Sequence, residues 1–443
     1  MVNFKYILLL ISITLLAYYP IFGNNFLYFW DDQWVVMNSY TEGGLSCNNL
    51  WQILTEYYHG QYAPFNEYLY LLLYSLFGYD PLAFHMASLI LHATNVCMVY
   101  IVLSKMLKDS RRLEGQSAQK VSFITALIFA IHPFNVEAVA WMSASKVLVY
   151  ALFYLLATYT YLEYLKKGRS RYYVYTLLLF VFSFLGKEQA VMFPVWMLLI
   201  NWLYRENFKT TKIWRETAPF FLLSLFFGVV TILSQSATGQ GLLVRNDSYL
   251  LWQRFVYACY TFTEYLFKCV IPYKLSYLYP FPSAIGEPLP SWLLVYPLLL
   301  VVILCTLWRY LKHWPIAFGL LLFSIHIGVA LHIIPLSRFA VVADRYVYLS
   351  SIGIIFIVVQ GSICLYNRFN KQRIWLLIFG VSYLLTFGIY TNTRIRIWQN
   401  TDRLKYELRE LLKQRNDFNV INKKANYETT IILSTKIFPP KAP

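Results

Sequence analysis

The fold is decided by residues 4–34, FKYILLLISITLLAYYPIFGNNFLYFWDDQW, in which a long apolar run ends shortly before two adjacent acids. The apolar part, residues 4–22, is long enough to cross a bilayer as a helix. It is also too long for the core of a signal peptide, so it predicts an anchor that stays attached. The two acids, Asp31 and Asp32, therefore lie just beyond a membrane boundary.

The acid pair is the first candidate site. Ionisable groups close to hydrocarbon are costly and are kept mostly for ion pairs, proton transfer or substrate contact. Three aromatic residues flank the pair: Phe29, Trp30 and Trp34. Shielding by these rings would raise the pKa of a carboxyl toward the range in which it accepts a proton from a hydroxyl. The alternative is that Asp31 or Asp32 caps a short helix or faces water at the membrane edge.

Composition defines the class of protein. The chain has 443 residues, of which 58% are hydrophobic and 14% charged, a composition typical of a membrane protein. The net charge is +16, and the basic residues cluster in short connectors between apolar runs, as the positive-inside rule expects. No nucleic-acid-binding motif accompanies this charge, which excludes a nucleic-acid interpretation.

The apolar runs predict an all-α polytopic membrane protein with about eleven transmembrane helices. The predicted spans are residues 4–22, 81–107, 121–131, 146–165, 172–185, 191–204, 219–233, 292–311, 315–334, 346–365 and 375–390. We expect one transmembrane domain, residues 1–391, with interfacial helices in a first outer loop (23–80) and an outer segment (236–288). A short extramembrane tail, 392–443, follows. The charge rule places the N-terminus in the cytoplasm and the C-terminus outside.

With this topology, four segments meet on the outer face. They are Asp31 with Asp32, the stretch 132–141, Lys187 with Glu188, and Asp344 with Arg345. Such acids and cations suit transfer from an anionic lipid carrier, because a carboxylate can deprotonate an acceptor hydroxyl while cations hold the phosphate. A planar arginine fork suits a phosphate in particular.

Structural interpretations of these residues remain open. Lys187 and Glu188 could pair at a hairpin tip. Arg345 could extend to the interface with Asp344 as its partner, and His132 could cap the end of a span. Neither a G-x-x-x-x-G-K-[ST] loop nor a G-x-G-x-x-G turn occurs, which favours a donor dissolved in the membrane over a soluble nucleotide.

A family resemblance emerges from several motifs in a fixed order. The segment IFAIHPFNVEAVAWMS (128–143) resembles the H-P-x-x-x-E-A-V-x-W segment of the transmembrane and tetratricopeptide-repeat O-mannosyltransferases, a GT-C family related to the protein O-mannosyltransferases. Further agreement lies at Phe84-His85, His92, Asn95, Leu185-Gly186-Lys187-Glu188 and Ala343-Asp344-Arg345-Tyr346-Val347-Tyr348-Leu349. The resemblance covers residues 1–405.

The resemblance implies a GT-C fold and an inverting transfer of mannose or a similar hexose from a polyprenyl-phosphate carrier, such as dolichyl phosphate, to a hydroxyl on the lumenal or periplasmic side. By the family pattern Asp31 is the base, and Asp32 orients it or meets the acceptor. Lys187 and Arg345 match the positions near the donor phosphate. His132 and Glu137 match an outer loop of the site, with Glu188 and Asp344 as further support. The resemblance favours a reaction without a metal or other cofactor, although one acid pair does not exclude a divalent cation.

Some positions depart from the family pattern. Ala63 stands where an arginine is common, and Ser145 and Val147 stand where an arginine and an aspartate are expected. The tail holds one predicted helix, residues 402–414, and no repeat of tetratricopeptide length. The acceptor, a protein Ser/Thr or a glycan or lipid hydroxyl, therefore stays open, as does the sugar.

Two other functions compete with the transferase. A transporter or flippase of a lipid-linked saccharide would be expected to show internal repeats, and none is visible. A non-catalytic scaffold of the same fold is kept open by the departures at Ala63, Ser145 and Val147. The high content of tyrosine, isoleucine and asparagine favours an AT-rich bacterial genome, and so a bacterial inner membrane over the endoplasmic reticulum.

Overall fold

The computed structural model describes residues 3–28, 30–58, 60–204, 207–236, 249–283, 285–333 and 340–413. The Phe29 ring, residues 237–248 of the predicted interfacial segment and the tail beyond 413 lie outside these ranges. Across the described part the chain is helical, and the only β-type pairings are the isolated bridges Tyr58–Gln61 and Tyr279–Val342. The prediction of an all-α polytopic membrane protein is confirmed.

Eighteen α-helices lie within the described ranges. They are α1 (Phe4–Tyr18), α2 (Asp32–Val35), α3 (Ser39–Glu42), α4 (Cys47–Thr55), α5 (Pro64–Phe77), α6 (Pro81–Asp109), α7 (Gly115–Ala130), α8 (Asn135–Ala140), α9 (Lys146–Lys167), α10 (Ser170–Gly186), α11 (Phe193–Leu203), α12 (Thr211–Ser236), α13 (Leu251–Lys268), α14 (Val295–Leu307), α15 (Trp314–Ile327), α16 (Ser351–Arg368), α17 (Arg373–Ile397) and α18 (Thr401–Lys413).

Each predicted span overlaps a helix of the described chain, with bounds that differ by several residues in places, and the number of helices that cross a membrane stays a prediction. By length and apolar composition, six helical stretches of the described chain are able to cross a membrane: Phe4–Gly23, Pro81–Asp109, Met142–Lys167, Thr211–Gln235, Ser351–Arg368 and Asn370–Ile397. Shorter apolar helices cover Ser170–Gly186, Ser291–Leu307 and Trp314–Ala330. Large apolar side chains such as Leu298, Trp375 and Phe379 lie on the outer surface of these helices, which suits contact with lipid.

The structure adds helical detail to the predicted plan in three places. The first outer loop contains α5, a helix that the mixed polar and aromatic pattern did not predict, and α5 packs against α9 and α10. The helix over the last predicted span, α17, continues to Ile397, and Arg394 near its end is buried and pairs with Asp344. The predicted helix of the tail is present as α18.

Close backbone contacts fix the helices around the outer loops. A Cβ atom on Gly353 of α16 would lie 2.2 Å from the carbonyl oxygen of Gly319 in α15, so only glycine allows these helices to cross. A Cβ atom on Gly186 would lie 2.9 Å from the backbone nitrogen of Tyr150. The end of α10 is therefore pressed against the first turns of α9, which brings Lys187 close to Lys146.

The opposite end of the bundle carries a separate ionic cluster. Lys105 of α6 pairs with Asp109 at 2.9 Å and with Glu163 of α9 at 2.7 Å. Lys166 forms a further ion pair with Asp109, and Lys167 forms one with Glu163. These basic residues are the ones that the charge rule placed on the cytoplasmic side, away from the acid pair.

Candidate active site in the outer loops

The carboxylate of Asp31 interacts electrostatically with two cations, Lys146 and Arg345. Asp31 precedes α2, is half-buried, and receives a hydrogen bond from the side chain of Trp34. Burial raises the pKa of Asp31, while the nearby charges of Lys146 and Arg345 oppose that rise. A half-buried carboxylate with a raised pKa is suited to accept a proton from a hydroxyl.

Asp32 has a different environment from its neighbour. It is 1% exposed, and its oxygens accept hydrogen bonds from the Ser143 hydroxyl (2.5 Å), the Ser143 amide (3.0 Å) and the Leu27 amide (2.8 Å). Burial raises the pKa of Asp32 to about 6, and these hydrogen bonds limit the rise. One oxygen of Asp32 binds Ser143 in the loop that follows α8, and the other binds Leu27 in the segment before the acid pair. Asp32 is a positioning residue that ties the first outer loop to the second.

Arg345 is held by a fully buried acid. Glu137 of α8 has no exposed side-chain surface; one oxygen accepts from the guanidinium of Arg345 and the other from the Arg345 amide at 2.9 Å. The guanidinium also lies 5.0 Å from the ring centroids of Trp141 and Tyr346. Trp141 in turn packs against Trp30, beside Asp31, with ring centroids 6.4 Å apart. These contacts place Arg345 and Asp31 around the same aromatic cluster.

Lys187 is a buried lysine with no carboxylate at ion-pair distance among the described residues. It is 1% exposed, and its ammonium lies 5.0 Å from the Tyr346 ring, which also contacts Arg345. Burial lowers the pKa of Lys187 to about 7; Glu188 opposes this, whereas Lys146 and Arg345 add to it. Glu188 is half-buried and acts on Lys187 through its charge, and no direct pair forms between these two neighbours in the described structure.

Two charged residues at this site were missed by the sequence interpretation. Lys146, the first residue of α9, donates a 2.5 Å hydrogen bond to Gln61 and interacts electrostatically with Glu188, Asp31 and Glu67. Glu67 of α5 accepts a hydrogen bond from Asn38 at 3.2 Å, and burial raises its pKa to about 7. Neither residue stood out in the sequence, because Lys146 reads as the polar start of a span and α5 was not predicted.

Asp344 and His132 are both fully buried, and both are bound by other parts of the protein. Asp344 is fully buried and pairs with Arg394 of α17 at 3.2 Å, while Tyr279 donates to its other oxygen at 2.8 Å. The proposed pairing of Asp344 with Arg345 is therefore wrong, since Arg345 pairs with Glu137. His132 is also buried: one ring nitrogen lies 3.0 Å from the Cys269 carbonyl and the other accepts from the Phe134 amide at 3.2 Å. Both ring nitrogens of His132 are therefore engaged by the backbone of the protein, and its role as support for the site stays a prediction.

The departures from the family pattern have structural explanations. Ser145 donates to Asn66 at 2.8 Å and lies 2.9 Å from the Tyr70 hydroxyl, so it fastens α5 to the start of α9. Val147 is buried in the main hydrophobic core. Ala63 immediately precedes α5 and lines a pocket beside Lys146.

The arrangement is a cluster of cations and carboxylates at one end of a helix bundle. Asp31 supplies a candidate base, while Arg345, Lys187 and Lys146 supply positive charge for an anionic group. Within the described ranges, no three His, Cys, Asp or Glu side chains are placed to hold a metal ion. Fold and site together define a polytopic α-helical membrane protein with a charged, half-buried candidate site in the loops at one end of its helix bundle.

Comparison with known proteins agrees with the resemblance in the motifs. Residues of this chain are 28% identical to the mouse protein O-mannosyl-transferase TMTC3 over 203 residues, which is 43% of this chain and 20% of that protein. They are 26% identical to the Caenorhabditis elegans protein O-mannosyl-transferase F38B6.6 over 194 residues, 42% of this chain and 26% of that protein. The human protein O-mannosyl-transferase TMTC1 is 28% identical over 147 residues, 31% of this chain and 16% of that protein.

These matches confirm the resemblance to the transmembrane and tetratricopeptide-repeat O-mannosyltransferases. The matched part spans about a fifth to a quarter of the first two relatives. No family model and no solved structure matches the chain.

Proposed function

We propose that this chain is an inverting glycosyltransferase of the GT-C class that uses a polyprenyl-phosphate-linked hexose and acts on the periplasmic or lumenal side. The observation that carries the proposal is Lys187, a buried ammonium without a carboxylate partner in the described structure, next to Arg345 around one tyrosine ring. A buried ammonium without a direct ion pair is costly, so this position favours an anionic ligand. The names of the relatives support a sugar transferase.

The reaction assigned to the site follows from its charges. The oxygen of an acceptor hydroxyl attacks the anomeric carbon of the donor sugar, and the bond from that carbon to the phosphate oxygen breaks. The electron pair leaves with the polyprenyl phosphate, whose charge Lys187 and Arg345 stabilise. The hydroxyl proton passes to Asp31, and attack from the face opposite the phosphate inverts the anomeric centre.

An apolar cavity supports a lipid-borne donor. It lies between α6, α9, α11, α15 and α16, and its lining includes Leu349 and Ile352. These two residues follow Arg345 by four and seven positions in the chain. An isoprenoid chain attached to a phosphate at Arg345 would find apolar surface there.

The test uses purified protein in detergent, where no compartments exist and transport produces no signal. Radiolabelled polyprenyl-phosphate mannose or glucose is supplied with hydroxyl acceptors, and sugar transfer is followed by chromatography. We expect Asp31→Asn to fold and bind the donor but to lose transfer by roughly 100-fold or more, because the base is gone. Asp402→Asn, at an exposed acid of α18, is the matched control and should keep full activity. Unchanged transfer in Asp31→Asn would remove Asp31 from the mechanism, and absence of turnover in the wild type would favour a transporter or scaffold.

A further inference from the structure

Helix α13 turns its apolar side chains outward and its polar side chains inward. On its exposed surface, Leu251 is 78% exposed, Phe255 62% and Trp252 51%. Its buried surface instead carries five polar residues: Gln253, Thr261, Thr263, Glu264 and Lys268. A helix surrounded by water would show the opposite arrangement, so the outer surface of α13 is typical of one that contacts lipid.

The helix lies across the end of the bundle that carries the candidate site. Its buried apolar residues share one hydrophobic cluster with Leu293, just before α14, and with Ile354, in the first turn of α16. The ring of Phe262 packs against Phe323, near the end of α15, with ring centroids 5.1 Å apart. Val347, two positions after Arg345, belongs to the same cluster. These contacts with the ends of three helices place α13 in the plane of the membrane boundary and not along a span.

The apolar surface of α13 continues onto α14. Tyr260 of α13 packs edge to face with Tyr296 and Trp292, with ring centroids 4.8 Å and 5.8 Å apart. Beyond these rings, α14 exposes Val295 and Leu298 on the surface that suits lipid. Tryptophan is enriched at membrane boundaries, and an amphipathic helix lies there with its apolar side in the lipid. The continuous surface favours lipid as its occupant over a water-soluble partner.

The buried side of α13 holds the segment that leads to Arg345. The hydroxyl of Tyr265, which is fully buried, accepts a hydrogen bond from the Ala343 amide at 2.8 Å and donates to the Ala343 carbonyl at 3.0 Å. Thr261 donates to the Val341 carbonyl at 3.2 Å. Ala343 precedes Arg345 by two positions, so the position of α13 determines where this arginine lies.

We propose that lipid of the outer leaflet packs against the face formed by Leu251, Trp252 and Phe255, and that α13 thereby holds Arg345 at the depth of the lipid phosphates. The inference rests on the proposed function, which gives Arg345 a phosphate to bind. A polyprenyl phosphate keeps its charged group at the membrane surface and its chain in the hydrocarbon, so an arginine that binds it needs a fixed depth. Tyr265 is a positioning residue, because it acts through Ala343.

The first test measures what surrounds the exposed face of α13. A spin label is attached to Phe255→Cys in the full chain, placed in nanodiscs of phosphatidylethanolamine and phosphatidylglycerol, with alanine at the four cysteines that are not buried: Cys47, Cys97, Cys305 and Cys364. Electron paramagnetic resonance reports collisions of the label with oxygen, which dissolves in lipid, and with a water-soluble nickel complex. Labels on Leu298→Cys and Asp402→Cys are the lipid and water references.

We expect the label at position 255 to collide mainly with oxygen, as the label at position 298 does. Mainly nickel collisions, as at position 402, would overturn the lipid contact. Protection from both reagents would also overturn it, because a second copy of the chain or another protein would then cover the face.

The second test measures the Kd of polyprenyl phosphate in the same nanodiscs. Tyr265→Phe keeps the ring and removes both hydrogen bonds to Ala343, and we expect the Kd to rise about 10-fold. Tyr257→Phe is the matched control: this buried tyrosine lies on the same helix, but its hydroxyl lies 2.8 Å from that of Ser283, outside the segment that leads to Arg345. Its Kd should stay unchanged.

A further variant links the lipid face to the arginine. Leu251→Ser combined with Phe255→Ser should also raise the Kd, whereas Leu222→Ser with Leu225→Ser, at exposed leucines of α12, should not. Adding Tyr265→Phe to the α13 face variant should raise the Kd no further than the larger single effect, because both changes act through the same contact.

The outcomes separate this inference from the function on which it rests. An unchanged Kd in Tyr265→Phe, or an equal rise in Tyr257→Phe, would overturn the positioning role. Effects of the face variant and Tyr265→Phe that multiply in full would overturn the connection between lipid and Arg345. Failure of the proposed function is recognised in the wild type, which would then not bind polyprenyl phosphate at all.

Discussion

The buried lysine at the candidate phosphate site makes donor binding depend on pH. Burial lowers the pKa of Lys187 to about 7, so in the free protein this ammonium loses its proton as the pH rises through neutrality. A bound phosphate favours the charged form and raises the pKa of the lysine, so binding takes up a proton above pH 7. Affinity is therefore greatest at and below pH 7 and falls as the pH increases.

The size of the effect follows from the pKa. At pH 7 about half of the Lys187 side chains carry a proton, and at pH 8.5 about 3% do, so the Kd rises by about 15-fold, or about 1.6 kcal/mol. Polyprenyl phosphate itself is a dianion across most of this range, because its second pKa is about 6. The binding of polyprenyl phosphate to the full chain in nanodiscs can be measured by thermophoresis at several pH values.

Two variants isolate the contribution of Lys187. Lys187→Arg keeps a charge that does not titrate in this range, so the pH dependence should flatten. Lys268→Arg is the control, because Lys268 is buried but already pairs with Glu264 at 3.3 Å, and the slope should remain. A Kd that is constant from pH 7 to 8.5 in the wild type, or an equal slope in Lys187→Arg, would refute the reasoning.

Two further predictions concern the scaffold of the site. Asp344→Asn should lower the free energy of unfolding by about 3–5 kcal/mol, because it leaves the buried Arg394 without its carboxylate, whereas Asp402→Asn should change little. A thermal melt in detergent that is equal for both variants would contradict the pairing. Gly353→Ala should destabilise the chain by about 1–3 kcal/mol or more through the contact with Gly319, and Gly361→Ala on the same helix, where a Cβ atom meets nothing within 4 Å, is the matched control. Equal stability of these two variants would show that α15 and α16 are not in close contact.

The sequence contained enough information to predict an all-α polytopic membrane protein. Apolar runs and basic connectors have a strong local pattern, so the spans could be read without knowledge of their packing. Asp31, Lys187 and Arg345 stood out as candidates because charged residues next to apolar spans are rare and costly, and the structure brings them near one another.

The residue pairings could not be predicted, because they depend on contacts between distant segments. Asp344 and Arg345 are neighbours in sequence, yet one pairs with Arg394 and the other with Glu137. Asp31 and Asp32 are adjacent residues of the same type, so the sequence does not distinguish them. In the structure, Ser143 and Leu27 donate hydrogen bonds to Asp32. These differences arise from burial and backbone geometry, which no local pattern reports.

The most direct test of the proposed reaction centre is a structure of the full chain in nanodiscs with a non-hydrolysable polyprenyl-phosphate sugar bound. We expect the phosphate within hydrogen-bond distance of both Lys187 and Arg345, with the anomeric carbon facing the carboxylate of Asp31. A phosphate bound at the opposite end of the bundle, near Lys105 and Lys166, would contradict a single reaction centre in the outer loops.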